Sequence, residues 1–299
     1  MNAPKEKFAI IISTKDRRDE LMRLLGMIAV QKARPDQVVV VDGGKVSLGH
    51  DIGKPFDFPV DYVRFVPASL PAQRNAGIRA LRDDIALVFF LDDDILLEDD
   101  ALENMMAFWK TAPDDVWGAG FNNTEDRYGP PTLTERVFLV NADSPGRILR
   151  SGFQSKLCSL KEAAPVEWLP GYGMTYRRSV FEKFGFDEWF SGYARYEDVD
   201  FSYRVSRGHK LFLASDAKVR HPNRLEDLSF SFRLGRMEFL NRLYFVRKNK
   251  LSVFLCAWAL FGIFVNNVLK GAVFFNRRCL LRAGGSIAGL WSVIARNSI

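Results

Sequence analysis

Cysteine is scarce in this chain. Only Cys158, Cys256 and Cys279 occur among 299 residues, without the even spacing of a disulfide framework. That excludes a disulfide-stapled secreted module and fits a reducing compartment. With 47% hydrophobic and 26% charged residues and no low-complexity stretch or internal repeat, neither disorder nor a fibrous architecture is compatible with the composition. The opening MNAPKEKFAIII lacks the basic, apolar and small-residue order of a secretory signal. Neither G-x-G-x-x-G nor G-x-x-x-x-G-K-[ST] is present, so any nucleotide chemistry here cannot rest on a glycine phosphate cradle. Acids are missing from the last quarter. Residues 228–299 hold eleven of the 42 Lys and Arg residues but only Glu238 of the 36 acids, so a mildly acidic body carries a strongly basic tail.

That tail is also apolar. Leu251 to Leu269 run for nineteen residues without a charge, about the ~20 that span a bilayer. Basic residues flank the run on both sides, Arg247, Lys248 and Lys250 before it and Lys270, Arg277, Arg278 and Arg282 after it. A single crossing would place one cluster against the positive-inside rule, and Asn266 and Asn267 interrupt the run. Helices lying in the cytoplasmic interface, or a shallow hairpin, held by apolar burial and attraction to an anionic membrane surface, fit better. A single crossing and a buried helix pair stay open as alternatives. Nucleic acid is not the expected partner, because the aromatics sit inside apolar runs and not among the basic residues.

The body opens as an α/β unit. Phe8 to Ser13 form a continuous apolar run, as in a strand covered on both faces, and Leu21, Leu24, Leu25 and Ile28 recur at helical spacing before Arg34-Pro35. QVVVV at 37–41 is a second buried strand ending in Asp42-Gly43-Gly44. Strand, helix, strand predicts a parallel sheet with right-handed crossovers. Further strands are expected at 60–66, 85–91, around Met174 and at 210–214, with helices at 69–81, 101–110 and 197–207. Residues 111–165 read as irregular strands and loops.

Ligands of open α/β sheets bind beyond the carboxyl ends of the strands. Thr14-Lys15-Asp16-Arg17, Asp42-Gly43-Gly44 and Asp92-Asp93-Asp94 all fall there. Without a glycine cradle, a diphosphate can be held through a divalent cation on carboxylates. Asp92 and Asp94, two apart at a strand end, suit that task, and hard oxygen ligands imply Mg²⁺ or Mn²⁺; a histidine in the same shell favours manganese.

The ordered set FAIIISTKDR, VVVVDGG, PAQRNAGI, FFLDDD, GYGMTYRRSVFEKFGFDEWF, YEDVDFSYR and a downstream His221-Pro222 resembles the family 2 glycosyltransferases over roughly residues 7–225. The resemblance implies a GT-A-type nucleotide-binding sandwich with a mostly parallel central sheet in residues 1–227; the basic, apolar helices expected from charge and hydropathy to associate with a membrane follow in 228–299. The resemblance also implies roles. Thr14 and Arg17 touch the nucleoside, and Asp42 accepts a hydrogen bond from the donor base, with Gly43 where family members often carry a second acid. Arg74 and Asn75 lie near the nucleotide, with Arg74 the better charge partner for its diphosphate. Asp92, Asp93 and Asp94 form the D-x-D region, Asp93 leaving the register open by one residue. His221 completes the metal site with Asp92 and Asp94. Gly171, Tyr172, Gly173, Trp189 and Phe190 belong to the acceptor pocket. Asp198 is the base, and Glu197 orients the acceptor or its loop.

The reading is an inverting, metal-dependent hexosyl- or deoxyhexosyltransferase using a UDP- or dTDP-linked sugar. Its acceptor would be a saccharide, carried on polyprenyl diphosphate in cell-surface polysaccharide synthesis, at the cytoplasmic face of the plasma membrane. Two other classes fit part of the pattern: a sugar nucleotidyltransferase, which would release pyrophosphate, and a non-catalytic, membrane-tethered sugar-nucleotide binding protein.

Overall fold

Continuous runs of β-branched and aromatic residues decide where the sheet lies. The structure, a computed structural model, describes residues 6–49, 52, 56–191, 194–222 and 227–296. In chain order the elements are β1 (Phe8–Thr14), α1 (Arg18–Val30), β2 (Gln37–Asp42), β3 (Val60–Arg64), α2 (Leu70–Arg79), β4 (Leu87–Asp92), β5 (Leu96–Leu97), α3 (Ala101–Thr111) and β6 (Val116–Asn123). They continue with α4 (Leu133–Val137), β7 (Ala164–Val166), β8 (Gly173–Arg177), α5 (Glu197–Ser206), β9 (Lys210–Arg220), α6 (Leu228–Lys248), α7 (Val253–Val273) and α8 (Arg277–Arg296).

The chain forms two compact units. The first, residues 1–127 and 158–222, holds a nine-stranded sheet in the order β3-β2-β1-β4-β8-β6-β9-β5, with β7 on β9. β3, β2, β1 and β4 are parallel, as strand–helix–strand alternation requires. The expectation of a mostly parallel sheet holds for these strands and for the β6–β9 pair, and most of the antiparallel pairs are shorter. β8 enters antiparallel to both β4 and β6, and β9 is parallel to β6 but antiparallel to β5 and β7. Between β6 and β8 the only helix is the five-residue α4, which groups with the second unit, so no strand–helix–strand crossover forces a parallel return there.

Register brings the polar ends together. Thr14 pairs with Asp42, and Ser13 with Asp92, so the carboxyl ends of β1, β2 and β4 finish level. β8 pairs Gly173 with Leu91, and the Asp92 amide donates to the Tyr172 carbonyl at 3.1 Å. The Gly171–Tyr172 turn is thereby held against the aspartates. Beneath lies an apolar core in which Phe8, Ile10, Ile12, Val38, Val40, Leu87 and Phe89 are fully buried, with Leu21, Leu24, Leu25 and Ile28 of α1 packed on it.

The second unit comprises residues 128–157 and 223–299. The segment 128–157 therefore groups with the C-terminal helices, a finer division than a single cut after residue 227. The Arg242 guanidinium lies 3.3 Å from the Phe153 ring centroid, the Ser252 amide donates to the Arg150 carbonyl at 3.1 Å, and Trp258 Nε1 donates to the Val137 carbonyl at 2.8 Å. α7 is long and apolar enough to cross a membrane, and most of it is bare.

Candidate active site

Three ligand atoms, one each from Asp92, Asp94 and His221, lie within 4.8 Å of one another. Asp92 ends β4, Asp94 sits in the turn that follows, and His221 comes directly after β9. His221 is held from three sides. Its Nε2 is 3.3 Å from Asp94 Oδ1, its amide donates to Asn123 Oδ1 at 3.2 Å, and the Tyr172 ring stacks on it with centroids 4.6 Å apart. The Tyr172 hydroxyl in turn donates to Asp126 Oδ2 at 3.2 Å. Burial disfavours an imidazolium, but the Asp94 hydrogen bond and the charges of Asp92, Asp94 and Asp126 outweigh it and raise the His221 pKa above its ordinary value. Burial pushes the Asp92 carboxyl up to about 6 against the pull of Arg74 and His221, although a third of the side chain reaches solvent. Two carboxylates and an imidazole in this proximity are a donor set that would suit Mg²⁺ or Mn²⁺.

Asp93 points the other way. It accepts from Thr14 Oγ1 at 2.7 Å and Arg17 Nη1 at 2.9 Å, while Arg17 Nη1 also reaches Asp94 Oδ2 at 3.2 Å. The grouping with His221 is thus made by Asp92 and Asp94, and Asp93 ties the loop after β1 to the end of β4. That loop passes through Asp16 with φ of 54°, in the left-handed region.

Asp42 is fully buried and heavily engaged. Oδ1 accepts from the Gly44 amide at 2.7 Å. Oδ2 accepts from the Tyr62 hydroxyl at 2.6 Å and the Leu48 amide at 3.1 Å and lies 2.9 Å from Arg64 Nη1. Burial works to raise its pKa, yet these four donors hold the carboxyl below its usual range. Little acceptor capacity is left for a nucleoside base, so in this conformation Asp42 organises the Gly44–Leu48 loop.

On the opposite flank, α5 begins at Glu197. The residue before it, Tyr196, adopts φ of 83°, an unfavourable conformation for a non-glycine residue. Such a turn aims the first acids of α5 at the end of β4. Asp198 Oδ2 accepts from the Gly171 amide at 2.8 Å. Glu197 is buried; its Oε1 accepts from Arg74 Nη1 at 3.0 Å, while Oε2 has no partner among the described residues. Burial, then the charge of Asp198, pushes its carboxyl well above the ordinary range despite Arg74. Asp200 is fully buried and paired with Arg204 at 2.9 Å, more than a helix-surface pair.

Arg74 joins the two flanks. It is 2% exposed, and its guanidinium donates to Glu197 Oε1, to the Gly171 carbonyl at 2.9 Å and to Asp92 Oδ1 at 3.3 Å. Buried among two carboxylates and a carbonyl, it is a clamp and not an open phosphate ligand. Asn75 is similarly committed, exchanging hydrogen bonds with the Phe186 backbone at 2.9 Å and donating to Glu188 Oε1 at 2.9 Å. It pins the loop that carries Trp189. Trp189 is exposed, whereas Phe190 is fully buried and cannot stack on a sugar. Gly171 and Gly173 are buried in the β8 approach, where a Cβ on Gly171 would stand 3.0 Å from Arg74 Nη2 and 3.1 Å from Asp198 Oδ2.

Asn123 and Asp126 escaped the sequence reading. Their signal was present: the polar run Asn122 to Asp126 follows the small, apolar stretch Val116–Phe121, the same strand-end grammar as the three clusters that were recognised.

Residues 9–185 match the family model described as Glycosyl transferase family 2. Over 224 residues the chain is 24% identical to the O-antigen chain rhamnosyltransferase RfbN of Salmonella typhimurium, covering 72% of this chain and 66% of that protein. Among solved structures, the mannosyltransferase PcManGT from Pyrobaculum calidifontis, in complex with GDP-Man and Mn²⁺, superposes with a TM-score of 0.56 at 14% identity, covering 99% of this chain and 77% of that one. TarS from S. aureus superposes with a TM-score of 0.52 at 18% identity, covering 79% of this chain and 40% of that one. These structural likenesses establish the GT-A-like fold.

Proposed function

This chain belongs to glycosyl transferase family 2, and from that premise we propose that it is an inverting glycosyltransferase that uses a divalent cation. Its donor would be a UDP- or dTDP-linked hexose or deoxyhexose. Its acceptor would be a hydroxyl of a saccharide carried on a polyprenyl diphosphate, at the cytoplasmic face of the plasma membrane, during cell-surface polysaccharide synthesis. The observation that carries the reading is the Arg74 clamp. One guanidinium touches Asp92 of the metal-type group and, through Gly171 and Glu197, the segment that holds Asp198. Arg74 and Gly171 thus tie a candidate cation group to a candidate base, the pairing that single displacement at an anomeric carbon would use.

In that displacement the acceptor oxygen attacks the anomeric carbon as the bond to the diphosphate oxygen breaks, and Asp198 takes the hydroxyl proton. Asp92, Asp94 and His221 would hold Mn²⁺ or Mg²⁺, whose charge would offset that of the departing diphosphate. The Gly171 amide orients Asp198 by holding Oδ2, while Thr14, Arg17 and Asp93 keep the nucleotide-side loop against the β4 end. Arg74 positions the two flanks, and Glu197 supports it. Tyr172 and Trp189 face the acceptor. The role in polysaccharide synthesis draws support from the relative named as an O-antigen chain rhamnosyltransferase, and membrane association draws it from the bare apolar helix α7.

The deciding experiment screens sugar nucleotides for cation-dependent hydrolysis and transfer, comparing the wild-type chain with Asp94→Asn and Asp198→Asn. The reading expects Asp94→Asn to lose the cation-dependent part. Transfer by Asp198→Asn at near wild-type rate would refute the base assignment, and release of pyrophosphate from nucleoside triphosphates would favour a nucleotidyltransferase.

A further inference from the structure

We propose that α7, the turn after it and α8 form a one-leaflet anchor that lies in the surface of an anionic phospholipid bilayer, and that α7 does not cross it. This deepens the membrane-bound reading above and rests on it.

The first observation is how tightly α8 packs on α6. A Cβ at Gly235 would collide with the Arg282 carbonyl, one at Gly285 with the Phe232 carbonyl and, at 2.8 Å, the Arg236 amide, and one at Gly289 would stand 3.0 Å from Phe239 Cβ. The two backbones touch, with residues 282–289 of α8 beside 232–239 of α6. Arg236 also donates to Ser292 Oγ at 3.1 Å. α7 starts a few residues after α6 ends, and α8 starts a few residues after α7 ends. Were α7 to span a bilayer, the start of α8 would sit on the far side. Its partner stretch of α6 would have to follow, drawing Arg233, Arg236, Glu238 and Arg242 through hydrocarbon. Charged side chains at that depth are costly unless paired or facing water. α7 is moreover held along one side: Cys256, Ala259 and Gly262 are buried, and Gly262 abuts the Phe138 ring.

The second observation is what the other side presents. Phe254, Phe261 and Leu269 follow one another along α7 at helical spacing and are 79%, 53% and 57% exposed. The turn puts Phe274 and Phe275 into solvent, 74% and 89% exposed, with Phe275 at φ of 51°. Ile287, Trp291 and Ile294 continue an exposed apolar stripe along α8. Around this face stand the exposed Lys270, Arg277 and Arg278, whereas Arg282 lies on the side of α8 that meets α6, and no Asp or Glu occurs after Glu238. Exposed apolar residues flanked by cations, with Asp227 an acid whose charge is felt by Arg278, are complementary to acyl chains beneath anionic headgroups. A second copy of the chain fits poorly, because a two-fold contact would set these cations against themselves.

The test floats the full-length protein with vesicles of phosphatidylcholine alone and of phosphatidylcholine mixed with phosphatidylglycerol. The anchor predicts retention on the mixed vesicles, release in alkaline carbonate, and weak retention on the neutral ones. Phe274→Glu with Phe275→Glu should lower retention at least ~10-fold. Arg277→Gln with Arg278→Gln should lower it about 5-fold per charge and erase the preference for anionic lipid. Resistance to carbonate would mean a crossing and would overturn the proposal. So would equal retention on both compositions, unchanged retention of the phenylalanine variant, or a concentration-dependent dimer in light scattering without flotation. Thermal melts and sugar-nucleotide hydrolysis measured on the same preparations show that the variants are folded. They also separate the two readings: a chain that hydrolyses donor but does not float sinks only the anchor, and one that floats but hydrolyses no donor sinks only the catalytic assignment.

Discussion

Asp198 and Glu197 are adjacent in sequence and opposite in environment. Asp198 is half-buried and keeps one oxygen on the Gly171 amide, whereas Glu197 lies inside the protein with one oxygen that has no partner among the described residues. Asp198→Asn keeps the shape but cannot take a proton, so it should slow transfer by roughly 10²–10⁴-fold, with donor affinity unchanged in a calorimetric titration. Glu197 behaves differently because its folded pKa is raised. The folded state then binds more protons than the unfolded one, so the wild type loses stability as pH climbs from the unfolded value toward the folded one. Urea unfolding should therefore show Glu197→Gln gaining on the wild type across that window above pH 4.5; a constant difference would refute the shift. The cation site carries its own pH signature. Asp92, raised to about 6, and His221, raised above 6.5, must both lose protons to become ligands. Apparent Mn²⁺ affinity should thus fall as pH drops through this range, by ~10-fold per unit for each proton released. Calorimetry in buffers of different ionisation enthalpy counts those protons, and a count of zero near pH 6 would exclude these ligands.

Among the elements, the turn into β8 is where local backbone sets the chemistry. Gly171 accepts the Arg74 clamp on its carbonyl and holds Asp198 on its amide, and any side chain would press on both. Gly171→Ala should fold yet lose at least ~10-fold in turnover, since small misplacements at a reacting centre are expensive; activity within twofold of wild type would show that the turn has slack. How much of this was legible follows from the same elements. β1, β2 and β4 announce themselves as FAIIIST, QVVVVD and LVFFLD, because strands buried on both faces tolerate only apolar residues. The aspartates stand out at their ends for the same reason. β6 was hidden in a region read as irregular. Its Gly118 and Gly120 leave room for Tyr176, Leu211 and Leu213 of the neighbouring strands, so a strand chosen by its neighbours' bulk carries little hydrophobic pattern of its own. The inward turn of Asp93, the saturation of Asp42 and the burial of Arg74 were equally illegible. Each depends on partners 18 to 123 residues away.

At the scale of the whole molecule, the two units are not two consecutive pieces of chain. The second is assembled from residues 128–157 and the C-terminal helices, so cutting the chain after residue 227 removes the partners of an internal segment. Phe153 is buried and lies under Arg242, Gly152 at φ of 79° abuts Val246, and Phe138 abuts Gly262. Each phenylalanine set free exposes surface worth about 1.5–3 kcal/mol. A chain ending at 227 should therefore aggregate or melt well below the full-length protein. The first unit by contrast closes on itself. The Ser159 amide donates to the Asp126 carbonyl at 2.9 Å, so the chain leaves and re-enters this unit at neighbouring points. Replacing 128–157 by a short Gly-Ser linker and ending at 222 should give a soluble protein that retains the Asp92–Asp94–His221 group. With Mn²⁺ present, a nucleoside diphosphate at one hundred times its Kd should stabilise that protein by about 2.7 kcal/mol, and Asp94→Asn should abolish the gain. If the simple truncation proved as soluble and as heat-resistant as the full chain while the excised version failed to fold, residues 128–157 would belong to the first unit, and the division drawn here would be wrong.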